Sequence, residues 1–567
     1  MAKLKTKVAA SLVDVLLDSS LLTREQAAEA VEKQRQTGRR MEDLLIEEKL
    51  IQPEQLGLVQ SMRLGVPFVN LKKHEVDPKA VELVPEAICR QYNVVPLQVQ
   101  DGTVVLAMED PGNIDTIDTI AAQTKRSIEP VLALHQDILE AIDINYRVSG
   151  EIEQQLRQIP SSAVGSTDQG DEGVSAEAIA QAPVVRIVDL LIRQAARDRA
   201  SDIHVEPQLT GVRVRFRIDG ILHEIMNLPT NIHSALISRI KIMAGMNIAE
   251  RRRPQDGQIS FKEGERTLDI RVATVNTVNG EMAVLRLLDK TFAFLTMPQL
   301  GFLPESQEKY RLMLKTPFGM ILISGPTGAG KTTTLYASVN QLDSIGRNII
   351  TIEDPVEYHF ANINQIQVNA QAGLTFAAGL RSCMRLDPNI ILVGEIRDKE
   401  TAQIAVQAAL TGHLVLSSVH ANDSVGVIYR LMDLGVEPFL VASALIGIVA
   451  QRMVRRICSN CAHLTAVSPE ERLSYERELS EQRTQFLYGD GCGLCGQTGY
   501  LGRTGIYEVL VMTEGVRRLV LESAGPDAIK GQALKDGLFT LWRDGMMKVK
   551  AGLTTPYEVI RNVFSIH

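Results

Sequence analysis

The order of apolar and polar positions divides the chain into five stretches. In the first seventy residues one pattern occurs twice, offset by 29: Leu12–Asp18 aligns with Met41–Glu47, and Leu21–Gln26 with Leu50–Gln55. Each copy reads as helix, turn, helix. Thr23 and Gln52 stand where the second helices begin, and Thr23 with Gln26 has capping-box spacing. From Val66 to Tyr146 the period shortens. Val94–Val99 and Thr103–Met108 read as strands of a hairpin turned at Gln100-Asp101-Gly102, and helix patterns follow at Ile114–Ala122 and Gln136–Tyr146. Ser149–Ala182 is polar and rich in Gly, Ser, Asp and Gln, a composition that buries too little surface to order itself and reads as a linker. After it, Val184–Ala200 is an amphipathic helix pattern. Val212–Ile218 alternates strictly, Asp219-Gly220 turns the chain into Ile221–Met226, and a helix over Ile232–Ala244 precedes a basic loop (250–257) and two further strands. The arginines alternating along Val212–Ile218 read as a solvated strand face.

Beyond residue 290 the apolar runs become short and continuous, as in a parallel sheet covered on both faces. Met320–Ser324 is one. It leads into Gly325-Pro326-Thr327-Gly328-Ala329-Gly330-Lys331-Thr332-Thr333, and Thr334–Val339 continues as a helix. Strand, glycine-rich loop, Lys-Thr and helix predict a P-loop. Backbone N–H groups and a helix N-terminus would cradle the phosphates, Lys331 would reach the β- and γ-phosphates, and the Thr332 hydroxyl would ligate Mg²⁺. Three more runs end in polar groups. Asn348–Ile352 ends in Glu353, Asp354 and Glu357; Ile390–Val393 in Gly394-Glu395; and Leu414–Val419 lies between His413 and His420. In a parallel sheet the carboxyl ends of strands converge on the ligand, where carboxylates hold Mg²⁺ or polarise water. Each histidine also reads as an ordinary satisfied side chain at a strand end.

Composition narrows the picture. The chain has 567 residues, enough for several domains, and a net charge of −8 from 60 basic and 68 acidic side chains, which gives no electrostatic case for nucleic acid. No signal peptide is visible, and the longest strongly apolar stretch, Phe439–Ala450, is too short to span a bilayer, so a cytoplasmic protein is expected. Of six cysteines, Cys89 and Cys383 read as buried hydrophobes. The others form two pairs, Cys458-Ser459-Asn460-Cys461 and Cys492-Gly493-Leu494-Cys495, which suit tetrahedral structural Zn²⁺, with redox-active or incidental thiols as the alternative. The 30-residue gap between the pairs exceeds ribbon spacing, and Ser468–Phe486 reads as a helical insertion within it. The tail, Thr540–Met546 and Thr554–Ile560, reads as helical.

Taken together, the P-loop, the IEDPVE box (352–357), VGEIRD (393–398) and TGHLVLSSVHAND (411–423) resemble the type II/type IV secretion ATPase superfamily. So do SDIHVEP (201–207), RFRIDG (215–220), NIAERRRPQDG (247–257) and VLRLL (284–288). With the N-terminal repeat and the cysteine pairs, the resemblance is to its pilus-extension motors, and next to its type II secretion motors. It implies a mixed α/β fold in four parts. These are an N-terminal module (1–148: helical repeat 1–70, small α/β domain 71–148), a flexible linker (149–182), a PAS-like α/β domain (183–290), and a RecA-like ATPase domain (291–567) carrying a zinc-binding insertion (455–500). It further implies a homo-hexamer that binds ATP and Mg²⁺ and works, peripherally at the inner membrane, on a platform protein and pilus alignment proteins. In roles, it makes Glu395 the catalytic base. It puts Glu353, Asp354 and Glu357 on the Mg²⁺ and water side, His413 and His420 as γ-phosphate sensors, Arg271 and Arg286 as arginine fingers, and Arg381 and Arg385 as further phosphate-facing arginines. Three positions depart from the pattern, the first without consequence because the backbone does the binding. Ala329 replaces a common Ser. Asn389 stands where Asp is frequent and takes no role. Gly394 rather than Asp precedes Glu395, which shifts metal binding toward Thr332 and the acidic box. The N-terminal repeat resembles a module that in some members binds cyclic di-GMP; Gln34 and Arg40 fit its pattern. Its glycines are Val13, Ser20, Glu42 and Lys49 here, and its closing Gln is Arg63, which points to a structural or docking role with cyclic di-GMP binding as the alternative.

Overall fold

A computed structural model of the chain describes residues 16, 21–37, 41, 44–45, 50–51, 53–71, 74, 76–81, 83–100, 102–146, 152, 182–263, 266–288, 295–342 and 345–563. Most of the expected linker, and Val13, Ser20, Arg40, Glu42 and Lys49, lie outside them. The chain forms two compact units, Met1–Glu151 and Ile152–His567.

In the first unit the repeat is structural. Helices span Arg24–Thr37 and Pro53–Leu64. Their core pairs positions at the repeat offset: Leu16 with Leu45, Leu22 with Ile51, Ala30 with Val59. The turns copy each other too, since the N–H groups of Leu21 and Leu50 donate to the carbonyls of Leu16 and Leu45 at 3.0 Å in both cases. Thr23 and Gln26 make the reciprocal capping box, at 3.0 and 3.2 Å. Beyond the repeat, β1 (Val94–Gln100) and β2 (Thr103–Met108) form the antiparallel hairpin and β3 (Ser127–Leu132) adds in parallel. Helices Glu86–Tyr92 and His135–Asn145 pack on this sheet. Cys89 lies fully buried there, its thiol pushed up to about 12 by burial.

The second unit begins with an antiparallel sheet in the order β6-β5-β4-β9-β8-β7. Its strands are β4 (Ala200–Gln208), β5 (Gly211–Ile218), β6 (Ile221–Leu228), β7 (Gln255–Glu263), β8 (Arg266–Thr277) and β9 (Gly280–Leu288). Helix Ala182–Arg197 buries Val184, Ile187, Val188, Leu191, Ile192 and Ala195, one face at helical spacing, and packs against β4. The alternating arginines of β5 are not a solvated face. Arg213 and Arg215 converge on Glu206 at 3.0 and 2.6 Å, and Arg217 approaches Asp202 at 3.5 Å. Expectation failed here because a period-2 pattern does not show whether the neighbouring strand carries carboxylates opposite.

A second sheet has the order β12-β11-β13-β14-β10-β15-β18. Its members are β10 (Gly319–Ser324), β11 (Ile349–Glu353), β12 (Asn364–Gln367), β13 (Ile390–Val393), β14 (Leu414–Val419), β15 (Leu445–Ile457) and β18 (Tyr500–Val511). All neighbours are parallel except β15 and β18. Every residue of β10, β11, β13 and β14 is buried, which is why each reads as a continuous apolar run. The apolar stretch Phe439–Ala450 is divided between helix Pro438–Ala444 and β15. Within the cysteine insertion the helix covers only Pro469–Leu479, opened by a Ser468–Glu471 capping box; Phe486 belongs instead to a hairpin of β16 (Ala462–Ala466) and β17 (Gln485–Gly489). No helix among the described residues is long and apolar enough to cross a membrane.

Candidate nucleotide site and cysteine cluster

Parallel register fixes which side chains meet. Ser324 at the end of β10 pairs with Val419 of β14, and Ile352 of β11 with Val393 of β13. Residues following these strand ends therefore share one edge of the sheet: the 325–330 loop, the acidic box, Glu395 and His420.

The loop turns into helix Lys331–Asn340 at Gly330, whose φ of 85° is open chiefly to glycine. A side chain at Gly325 would meet the Gln451 carbonyl at 2.5 Å. Pro326, Thr327, Gly328 and Thr332 are exposed, while Ala329 is buried. Lys331 folds back over the loop, donating to the carbonyls of Gly325 at 2.8 Å and Pro326 at 3.2 Å. Burial lowers its pKa; Glu395 opposes that shift and Arg452 adds to it. Gln451 on β15 secures the loop from below. Its amide N–H donates to the Ala329 carbonyl at 2.6 Å and its oxygen accepts from the Thr334 hydroxyl at 2.9 Å.

The acidic side chains take distinct places. Glu353 is buried, 4 % exposed, and its carboxylate accepts from the Tyr336 hydroxyl, from Thr351 at 2.7 Å and from Gln365 at 3.1 Å. It is consumed in holding the box together. Asp354 is exposed. Glu357 pairs with Arg271 of β8 at 2.9 Å, and its N–H donates to the Tyr336 hydroxyl at 3.3 Å. Tyr336 thus ties the P-loop helix to both glutamates, wedged edge-on against Tyr358 and Phe360. Glu395 pairs with Arg397 and faces His420 Nε2 at 3.8 Å. The pKa of His420 is lowered by burial and then by the Lys331 charge, with Glu395 opposing.

Three sets of expected site residues lie away from the loop of their own chain. His413 precedes β14 and its carbonyl accepts from Gly319, the first residue of β10. It lies at the opposite edge of the sheet from His420, a strand length of roughly 20 Å away. Its Nδ1 sits 2.9 Å from the Ala408 carbonyl, so the satisfied-histidine reading describes it and a γ-phosphate contact within this chain does not. Arg381 is turned onto Glu400 and Arg385 is exposed, so neither is gathered to the loop of its own chain. Arg286 stands directly across from Arg271 but bonds Asp202 of its own sheet at 2.9 Å. A symmetrical motif spelled along one strand does not reveal that its two ends lie a strand length apart.

Tyr336, Gln451 and Arg452 escaped the sequence reading. Gln451-Arg452 did carry a signal: two polar residues interrupt a strand buried on both faces, and buried polar groups are the informative exceptions.

Cys458 leaves the end of β15, and Cys492 and Cys495 lie just before β18. The four sulfurs lie within 4.8 Å of one another. Three of the separations are 3.8 Å (Cys458–Cys492), 3.9 Å (Cys461–Cys495) and 3.7 Å (Cys492–Cys495). A tetrahedron with Zn–S bonds of about 2.3 Å has edges of about 3.8 Å, so the set fits structural zinc and all four cysteines are free thiols rather than disulfides. N–H groups of Asn460 (to Cys492), Cys492 and Gly499 (both to Cys495) point at the sulfurs from 3.2 to 3.3 Å. Although burial raises the Cys492 thiol, hydrogen bonds from the Asn460 side chain, the Cys495 backbone and the Cys495 and Cys458 thiols bring it down to about 7.

Comparison with known proteins places these features. The family model described as type II/IV secretion system protein matches residues 177–561, and one described as MshEN domain matches 64–152. The type IV pilus assembly ATPase PilB of Myxococcus xanthus is 41 % identical over 557 residues, covering 97 % of this chain and 98 % of its own. A type II secretion system protein E of Xanthomonas campestris pv. campestris is 42 % identical over 506 residues, 88 % of each chain. Among solved structures, the ATPase DotB of Legionella pneumophila superimposes with a TM-score of 0.50 at 20 % identity, covering 66 % of this chain and 94 % of its own, a likeness of the RecA-like fold. By its family match, its relatives and its P-loop core, the chain belongs to the type II/IV secretion system family of ATPases.

Proposed function

We propose that this chain is the ATP-hydrolysing motor of type IV pilus assembly, acting as a homo-hexamer in the cytoplasm on an inner-membrane platform protein. The observation that carries this reading is the 41 % identity to a pilus assembly ATPase that extends through the N-terminal unit to 97 % of the chain. A type II secretion motor is the second reading, favoured by the 42 % identical secretion protein.

In this reading the loop N–H groups and Lys331 receive the phosphates, exchanging the Lys331 bonds to Gly325 and Pro326 for phosphate oxygens. Thr332, exposed in the first turn of the helix, would hold Mg²⁺ through its hydroxyl, and the ion would supply charge neutralisation when bound. Glu395 orients the attacking water and takes its proton. His420, neutral at pH 7 and facing Glu395, registers the γ-phosphate position. Arg271 leaves Glu357 to meet phosphate, so hydrolysis is transmitted to the sheet of residues 183–290.

The test is genetic. The gene is deleted in its host and replaced by wild type or Glu395→Gln, and surface pili and secreted enzymes are scored together. Loss of pili alone, rescued only by wild type, is the expected result. Intact pili with lost secretion would move the chain to the secretion branch.

A further inference from the structure

Arg452 is the residue whose environment the architecture leaves unexplained. It sits on β15 and is 7 % exposed. Its guanidinium is held by oxygens of neutral groups alone: Nη1 donates to the Gln451 carbonyl at 3.1 Å and Nη2 to the Asn422 carbonyl at 2.7 Å. Among the described residues no carboxylate forms an ion pair with it. The two acids that act on it through space, Asp423 and Glu508, are engaged elsewhere. Asp423 caps the N–H of Gly426 at 2.7 Å and approaches Lys530 at 3.9 Å. Glu508 accepts from the N–H of Ser424 at 3.0 Å, from the Ser424 hydroxyl and from the N–H of Leu541 at 3.3 Å, and burial pushes its pKa up.

A buried cation without a counter-ion is costly, and folds retain one where an anion arrives from outside. The position indicates which anion. Nη1 lies 3.5 Å from the point a side chain at Gly325 would occupy, so the guanidinium underlies the first turn of the P-loop. Asn422, which receives Nη2, belongs to the loop that carries His420, and the Ser324 hydroxyl donates to the next carbonyl, Ala421, at 2.8 Å. The charge of Arg452 also depresses Lys331. Two cations, Lys331 and Arg452, therefore lie at one loop, and Glu395, the carboxylate that acts on Lys331, is paired with Arg397.

We propose that Arg452 is a nucleotide-affinity residue whose fixed charge, held beneath the P-loop by the Gln451 and Asn422 carbonyls, is compensated by the polyphosphate of the bound nucleotide. It acts through the loop and touches no reacting atom. This rests on the P-loop binding ATP, which the wild-type control checks separately.

The experiment uses the full chain as wild type, R452Q and R452K. Binding of the β,γ-imido analogue of ATP with Mg²⁺ is measured by calorimetry, and melting is recorded with and without it. R452Q is expected to lose tenfold or more in affinity, while its nucleotide-free melting temperature stays level or rises, because an uncompensated buried charge has gone. R452K, which keeps the charge, should retain affinity within a few-fold. A residue that merely braces the strand would give the reverse: lower nucleotide-free melting in both variants and affinity within twofold of wild type. That result overturns the proposal, and so does an R452Q chain that fails to fold. A wild type that does not bind the analogue would instead remove the P-loop reading.

Discussion

Tyr336→Phe deletes one oxygen and tests how the acidic box is held. The phenol donates to the buried Glu353 carboxylate and accepts the N–H of Glu357 at 3.3 Å. A hydrogen bond to a charged partner contributes about 1.5–3 kcal/mol, a long neutral one less than about 1 kcal/mol. Glu353 keeps Thr351 and Gln365, so it is not orphaned, and the net loss should be about 1–3 kcal/mol. The ring still packs on Tyr358 and Phe360, which preserves the core. If the box is positioned for the transition state, that loss appears in turnover, where each ~1.4 kcal/mol is tenfold. We expect kcat to fall about 10- to 100-fold with KM for ATP changed less than about threefold. Steady-state ATPase assays on Tyr336→Phe, Glu357→Gln and the double variant complete the cycle. Since Tyr336 acts through the box, the double loss should be smaller than the product of the single losses. Multiplicative losses, or a kcat within twofold of wild type, would refute the reasoning.

Two further outcomes follow from the site and the cysteine cluster. Purified chain should contain one zinc, and Cys492→Ser should lose it and melt at lower temperature, because the cluster joins the end of β15 to the start of β18; metal analysis finding none in fresh protein would count against it. For His420, burial and then the Lys331 charge hold its pKa below the usual 6.5. The stability tied to its neutral form is complete above pH 6.5 and is lost as pH falls through the lower folded value. Melting of wild type and His420→Asn should therefore diverge only below about pH 6.5, and an NMR titration of the His420 ring with a midpoint above 6.5 would contradict the assignment.

What the sequence disclosed, and what it hid, has a physical pattern. The P-loop was legible because strand, loop and helix are contiguous, and phosphate binding there depends on the backbone. The N-terminal repeat was legible because its core positions recur at one offset. Cysteine spacing identified the cluster, although the hairpin inside it was missed in favour of a longer helix. Function beyond the motifs depended on contacts far apart in the chain. Gln451 reaches Ala329, Tyr336 reaches Glu353 and Glu357, and Arg271 reaches Glu357. A local pattern carries no information about these pairings. His413 shows the same limit from the other side, since residues close in sequence were assigned one role although the strand between them carries them to opposite edges.

The two arginines of β8 and β9 show what this geometry means for the motor. Arg271 and Arg286 lie directly opposite across the antiparallel pair, and each rests on a carboxylate: Arg271 on Glu357 of the ATPase core, Arg286 on Asp202 of its own sheet. Two like charges side by side repel, so each needs its acid when no phosphate is near. Arg271 and Glu357 are 28 % and 30 % exposed, which limits their pair to about 1 kcal/mol after solvent screening. A charge-assisted, bidentate bond from the same guanidinium to a phosphate is stronger than that. In the proposed mechanism a nucleotide therefore draws Arg271 away at little cost, and the arginine returns to Glu357 as phosphate leaves. Because Tyr336 fixes Glu357 to the P-loop helix, the arginine's resting position is set by the element that binds the phosphate. Arg286 is 63 % exposed and bonds only within its own sheet, so in the proposed mechanism it is Arg271, already in contact with the core, whose movement would couple the sheets.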